Sequence, residues 1–187
     1  MQTFLENIEK HIPLNELEQE DKIVFKQFIS AFGDNLWTRE NKVGHVTASA
    51  WVVNKERTKV LMAYHKIYDS FAWLGGHADG DRDLLHVALK ETTEESGIKN
   101  IKVLSSDFSD IACLFVKAHK KKGKEVSAHL HFNVTYILEA GEQEALRIAE
   151  EENTAVRWLE IGELEKYVTE EHMKPVYARL IEKMKKI

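Results

Sequence analysis

Glu91, Glu94 and Glu95 restrict what this chain can become more than any other residues. They stand at i, i+3 and i+4 in the run KETTEESG, so a helix carries all three carboxylates on one face. That is an awkward place for them. Exposed like charges at this spacing repel by about 0.2–0.5 kcal/mol per pair. The helix also ends directly afterwards, at Gly97 in the C′ position that glycine favours, where the dipole disfavours anions. A divalent cation bound at the cluster removes both penalties. Hard oxygen donors in a group suit Mg2+ or Mn2+, which keep water ligands and share their coordination with substrate phosphates. The bland alternative is a solvated acidic face, so the weight falls on the surrounding sequence.

The surroundings change their hydrophobic period twice. Residues 1–41 read as helical: Leu5, Ile8 and Ile12 recur before Pro13, then Leu17, Val24, Phe25, Phe28, Ile29 and Phe32 before Gly33, with Asn15 as N-cap of the second helix. After Gly44, residues 45–53 (HVTASAWVV) and 59–64 (KVLMAY) are β-rich and separated by a polar turn. Trp73-Leu74-Gly75-Gly76 leads through an acidic loop, Asp79 to Asp83, into the glutamate helix. Strands are predicted at 101–104, 111–118, 128–138 and 155–159, with a basic loop at 119–124. Residues 162–186 read as one or two helices broken near Pro175. This order predicts a mixed sheet with helices on its faces.

Composition removes several functions. No apolar run approaches the roughly 18 residues that a membrane span needs. The start, MQTFLENIEKH, lacks the basic end and apolar stretch of a secretory signal, and a single cysteine cannot form an internal disulfide framework. A cytoplasmic protein is the expectation. A net charge of −5 argues against a nucleic-acid duplex as partner, but not against small phosphate ligands.

From Gly76 the chain runs GHADGDRDLLHVALKETTEESGI, which resembles the Nudix box, G-x5-E-x7-R-E-U-x-E-E-x-G-U, where U is apolar. Gly76, Glu91, Glu94, Glu95, Gly97 and Ile98 fall in register, and the resemblance extends over about residues 42–170. It departs at three places. Arg82 stands where the box has its first glutamate, with Asp81 and Asp83 either side; Lys90 replaces the arginine, losing its bidentate fork; Thr92 takes an apolar position.

The resemblance implies an α/β fold, a Nudix-type α/β/α sandwich with a mixed sheet, over residues 42–187, preceded by an N-terminal helical extension at 1–41. It implies a Mg2+- or Mn2+-dependent pyrophosphohydrolase, MutT-like, cleaving a small-molecule nucleoside diphosphate linked to another group. The implied metal ligands are the Gly76 carbonyl, Glu91, Glu94, Glu95 and Glu152, with one glutamate as base and Lys90 as the orienting cation. The family's many dimers make a homodimer the expectation. The departures at Arg82 and Lys90 motivate a second reading, a degenerate module that binds a nucleotide without turning it over.

Histidine is the other surplus, with nine in the chain. His129 and His131 lie on one face of a strand, since side chains alternate, while His45 opens the first sheet strand and His77 follows the Gly75-Gly76 pair. In the resembled fold these regions converge, so the four could border a second metal or phosphate site. A metal centre of this kind resembles that of isopentenyl-diphosphate isomerases, but Gly75 stands where that branch has its catalytic cysteine and His129 and His131 replace its E-x-E. His65 and Lys66, at a strand end, could contact phosphate, and Trp73 could stack on a base or equally well pack in the core. Cys113, in an apolar strand, reads as a small buried hydrophobe.

Overall fold

The computed structural model describes residues 2–65, 69–121, 123–149 and 153–187, apart from the Lys121 side chain. Lys66 and Glu152 therefore lie outside the described residues. Helices α1 (Gln2–Lys10) and α2 (Glu16–Phe32) form at the predicted helical periods, with Pro13 between them. The Asn15 side chain accepts the Glu18 N–H at 3.0 Å. Such a cap is worth about 1 kcal/mol. Phe25, Phe28 and Ile29 make the buried stripe of α2, and Phe28 stacks on Phe132 of the sheet with ring centroids 3.6 Å apart. Leu17 and Val24, counted with that stripe from their spacing, are exposed. At ~100° per residue they fall on its edge, away from the sheet.

Among the described residues ten strands follow: β1 (Gly44–Val53), β2 (Lys59–His65), β3 (Ser70–Ala72), β4 (Leu74–His77), then, after helix α3 (Leu84–Ser96), β5 (Ile101–Val103), β6 (Asp110–Val116), β7 (His119–Lys121), β8 (Lys124–Val126), β9 (His129–Ala140) and β10 (Asn153–Glu160). The main sheet runs β10-β2-β1-β9-β5, with β3 on β2, β4 on β1 and β6 on β9. Among the described residues only β1 and β9 pair in parallel, which makes the sheet mixed. The basic loop is itself a small hairpin, β7 on β8.

Every residue of β1 is buried because both of its faces are covered. Val46, Ala48, Ala50 and Val52, with Phe132, Val134 and Tyr136 of β9, pack under α1, α2 and α3. Trp51, Val53 and Ile137 pack on the other side under helix α4 (Lys174–Met184). The result is an α/β/α sandwich. The N-terminal helices share the first core, through Phe4, Ile8 and Phe25. Pro175, expected to break a C-terminal helix, instead sits in the first turn of α4, where its missing N–H costs nothing. The residues before it hold only a 3-10 turn, Ile161–Lys166. Among the described residues no helix is long and apolar enough to cross a membrane.

Polar chemistry clamps α2, β6 and α4 together. Arg179 of α4 donates through Nε and Nη2 to the two Asp110 oxygens of β6, both at 2.8 Å, with both side chains fully buried. Lys183, one turn on, reaches Asp110 at 3.0 Å and also donates to Glu18 of α2. Glu18 further accepts from His11 and from the Leu14 N–H, each at 2.7 Å. Burial would raise this carboxyl; its donors outweigh burial and hold it at about 2.

Candidate functional site

Strand β4 separates two clusters of candidate residues, one on each face. Its pairing with β1 sets Gly76 opposite Ala48 and His77 opposite Thr47. Successive side chains point to opposite faces, so Gly76 faces α3 and His77 faces away from it. Gly76 needs to be glycine: a Cβ there would lie 2.5 Å from the Glu91 carboxylate carbon. At Gly75 a Cβ would lie 2.5 Å from the Ala48 carbonyl oxygen, a backbone atom that cannot turn aside.

Helix α3 delivers the three glutamates into unlike surroundings. Glu95 is only 1% exposed and accepts the Gly75 N–H at 3.4 Å. Glu91 is half-buried against Gly76, and Glu94 points to solvent. Lys90 Nζ lies 3.4 Å from Glu91 and 3.5 Å from Glu94, bridging them from outside. Those two charges, Glu91 foremost, push the lysine's pKa up. Lys90 therefore meets each carboxylate through a single contact, where an arginine would offer a fork.

The other departures from the box have local explanations. Asp83 caps α3 by accepting the His86 N–H at 3.0 Å, and Asp81 accepts the Asp83 N–H at 2.9 Å while meeting the His86 ring at 2.8 Å. Both acids serve the start of the helix. Arg82 turns outward to Asp34 at 2.9 Å and lies 5.8 Å over the Trp37 ring, binding α3's approach to the N-terminal extension. Thr92 tolerates full burial because its hydroxyl donates to the Ala88 carbonyl at 2.7 Å. Gly97 is left-handed at φ 80°, as its stop position requires.

On the opposite face of the sheet, parallel pairing sets His45 beside His131, Thr47 beside Asn133 and Ser49 beside Thr135. These are alternate residues of two adjacent strands, so they form one continuous polar face. Asn133 accepts from Thr47 and from Ser49, both at 2.8 Å, and donates to Thr135 at 3.0 Å. At its outer end four histidine rings meet. The His45 centroid lies 4.9 Å from those of His77 and His129 and 5.1 Å from that of His131. His77 and His131 are 4.8 Å apart, and His129 and His131 5.1 Å. A cavity of about 620 Å³ opens over them, bordered also by Arg39, Asn41, Lys42 and His119.

His45 is 4% exposed. Its Nδ1 lies 3.3 Å from the Asn41 carbonyl and its Nε2 has no hydrogen-bond partner among the described residues. Burial first, then the neighbouring His129, lower its pKa to about 4, which keeps the ring neutral at pH 7.

The four histidines are thus brought together, His129 and His131 by their shared strand face and the others by sheet pairing. Trp73 is not at the surface: it is 7% exposed and packs edge-on against Tyr177 of α4, centroids 5.4 Å apart, so it offers no free face to a base. His65 ends β2, paired with Ser70. Cys113 of β6 donates to the Asp21 carbonyl at 3.7 Å, and burial pushes its thiol pKa up. Sequence reasoning missed Arg39 and Asn41, in the segment read as helical preface, and Lys42 directly after it. It also missed the Thr47, Ser49, Asn133 and Thr135 ladder. The signal was present in the period-two polar run H-x-H-x-N-x-T of β9 against H-x-T-x-S of β1.

A family model described as NUDIX domain matches residues 43–180. No curated protein matches the chain by sequence. Among solved structures, a Caenorhabditis elegans Ap4A hydrolase in a binary complex superposes with a TM-score of 0.57 at 16% identity, over 76% of this chain and 98% of that one. RenU, a Nudix hydrolase of M. smegmatis, gives 0.56 at 15% identity over 77% and 88%. The Escherichia coli dihydroneopterin triphosphate pyrophosphohydrolase gives 0.54 at 12% identity over 73% and 94%. At such identities the likeness is one of fold.

Proposed function

The chain belongs to the NUDIX domain family, and from that premise we propose that it is a Mg2+- or Mn2+-dependent pyrophosphohydrolase acting on a nucleoside diphosphate linked to another group. One observation carries this reading: α3 seats Glu95 against the Gly75 N–H of β4 and Glu91 against Gly76, with Lys90 bridging Glu91 to Glu94.

The donors suit the ion. They are hard oxygens, and the cradle beside Gly76 is one that a single Cβ would fill. Mg2+ binds through few protein carboxylates and keeps waters for the rest, so the glutamates need not all reach it directly. Glu91, Glu94, Glu95 and the Gly76 carbonyl would hold it, with Glu152 as a further carboxylate. When bound, it neutralises diphosphate charge and makes a coordinated water more acidic.

The chain's own residues do the positioning. Gly75 and Gly76 let the β4 backbone come close to α3, Lys90 restrains the Glu91 and Glu94 carboxylates, and one glutamate accepts the proton of the attacking water. Water adds to one phosphorus as the bridging P–O bond breaks, and two phosphorylated products leave. Replacing Gly76 by alanine is expected to cut turnover at least tenfold with little loss of fold, because the new methyl displaces the Glu91 side chain rather than backbone. Steady-state kinetics beside a circular dichroism melt checks this.

The family reading is tested by a hydrolysis screen over nucleotide sugars, dinucleoside polyphosphates and nucleoside triphosphates, with Mg2+ and Mn2+ titrated and products resolved by ion-exchange chromatography. Metal-dependent release of a phosphorylated product is the expected result. Tight nucleotide binding by calorimetry with no turnover of any of them would instead make the chain a nucleotide-binding module.

A further inference from the structure

We propose that His45, His77 and His131 form a second cation site, selective for a Zn2+-class transition metal and separate from the carboxylate site. The inference goes beyond the hydrolase reading and does not depend on it. The ligand atoms of these three residues all lie within 4.8 Å of one another. Among the described residues they are the one group of three or more His, Cys, Asp or Glu side chains that meets this spacing. Two imidazole nitrogens at about 2.0–2.1 Å from a tetrahedral Zn2+ are roughly 3.3 Å apart, so small rotations of the rings close the set.

His45 is the anchor. Its Nδ1 faces the Asn41 carbonyl, an acceptor, so Nδ1 carries the proton and Nε2 presents a lone pair. That Nε2 is buried and has no hydrogen-bond partner among the described residues. Leaving a buried acceptor unsatisfied is unfavourable. A neutral imidazole whose Nδ1–H is fixed by a backbone carbonyl is also the arrangement in which metal-binding histidines are held.

His129 shows the same device. Its Nδ1 lies 2.8 Å from the Ser127 carbonyl, so its Nε2 is likewise a lone pair, and it points at His131 Nε2 across 3.2 Å. Either His131 donates its Nε2 proton and keeps Nδ1 as a lone pair, or both Nε2 atoms face one cation. In both cases His131 keeps a nitrogen lone pair for a cation.

The donor type sets the selectivity. Imidazole suits Zn2+, Co2+, Ni2+ and Cu2+, whereas Mg2+ demands oxygen. Three histidines leave a fourth position, and the cavity above the rings gives it access to solvent and small ligands. The alternation of β4 keeps the two donor sets apart: Gly76 faces the glutamates, and His77, one residue on, faces the imidazoles.

The test uses the full chain freed of metal by chelation and then titrated with Co2+. A visible d–d absorption saturating at one ion per chain is expected, displaced by Zn2+ and unaffected by millimolar Mg2+. His45→Gln and His131→Gln should weaken binding by more than the roughly 10–100-fold that loss of an outer partner costs. Glu91→Gln and Glu94→Gln should leave it unchanged, and so separate this site from the carboxylate site. X-ray absorption on the Zn2+-loaded wild-type protein supplies a readout that needs no variant, with imidazole back-scattering from at least three ligands. A shell of oxygen ligands alone, an absent d–d band, or unchanged Co2+ affinity in both histidine variants would overturn the proposal. Binding of inorganic phosphate to the metal-free chain that these same variants abolish, with no Co2+ signal, would likewise overturn it and mark the cluster as an anion site.

Discussion

Replacing Glu95 by glutamine is expected to lower kcat for pyrophosphate cleavage by about 10²–10⁴-fold, the range lost with a positioned acid–base group. The fold should survive. Glutamine has the same shape and keeps an oxygen to accept the Gly75 N–H that Glu95 now accepts at 3.4 Å. What disappears is a charge held in a place only 1% exposed. A carboxylate is retained in such a place when it is paired or binds a cation. Glu94→Gln is expected to reduce kcat too, by less if its part is confined to metal binding, since Glu94 is solvent-exposed and restrained by Lys90. The measurement is kcat and KM for the best substrate at saturating Mg2+, beside a thermal melt. Unchanged kcat in both variants would remove the catalytic role assigned to α3.

The second large effect concerns stability. Arg179→Met should destabilise the protein by about 3–5 kcal/mol, the cost of leaving one buried charge without its partner. Asp110 would keep only Lys183, at 3.0 Å, in place of a two-pronged contact at 2.8 Å. Urea unfolding followed by circular dichroism measures it. The double variant Arg179→Met, Asp110→Asn should recover part of the loss, because no uncompensated charge remains on β6. If the double variant is as unstable as the sum of the singles, the pair is not coupled as its geometry indicates. The clamp also makes stability acid-sensitive. Glu18 sits at about 2 against an ordinary 4.5, so its contribution is whole above pH 4.5 and is lost as the pH falls towards 2.

None of this clamp was legible in the sequence. Glu18, Asp110, Arg179 and Lys183 lie on three distant segments, and only packing brings them against one another. Trp73 stayed open between ligand and core for a related reason. A tryptophan beside a glycine pair suits a ligand pocket equally well, and the approach of Tyr177 from α4 decides that it belongs to the core. Leu17 and Val24 look apolar enough for the buried stripe of α2, but their angle on the helix leaves them at its edge.

The elements around the glutamates were legible because their determinants are local. The Asp83 cap, the apolar period of α3 and the left-handed stop at Gly97 lie within a short run of chain, and backbone geometry there depends little on distant residues. By itself, then, the sequence determined the loop–helix–loop that presents the carboxylates and the alternation of strands and helices around it. Only the tertiary structure decided which face each carboxylate took, which charges were buried, and that His45, His77 and His131 meet. The parallel register of β1 on β9 makes that meeting, and register is chosen by the burial of both faces of the sheet at once, which no local run of residues can specify.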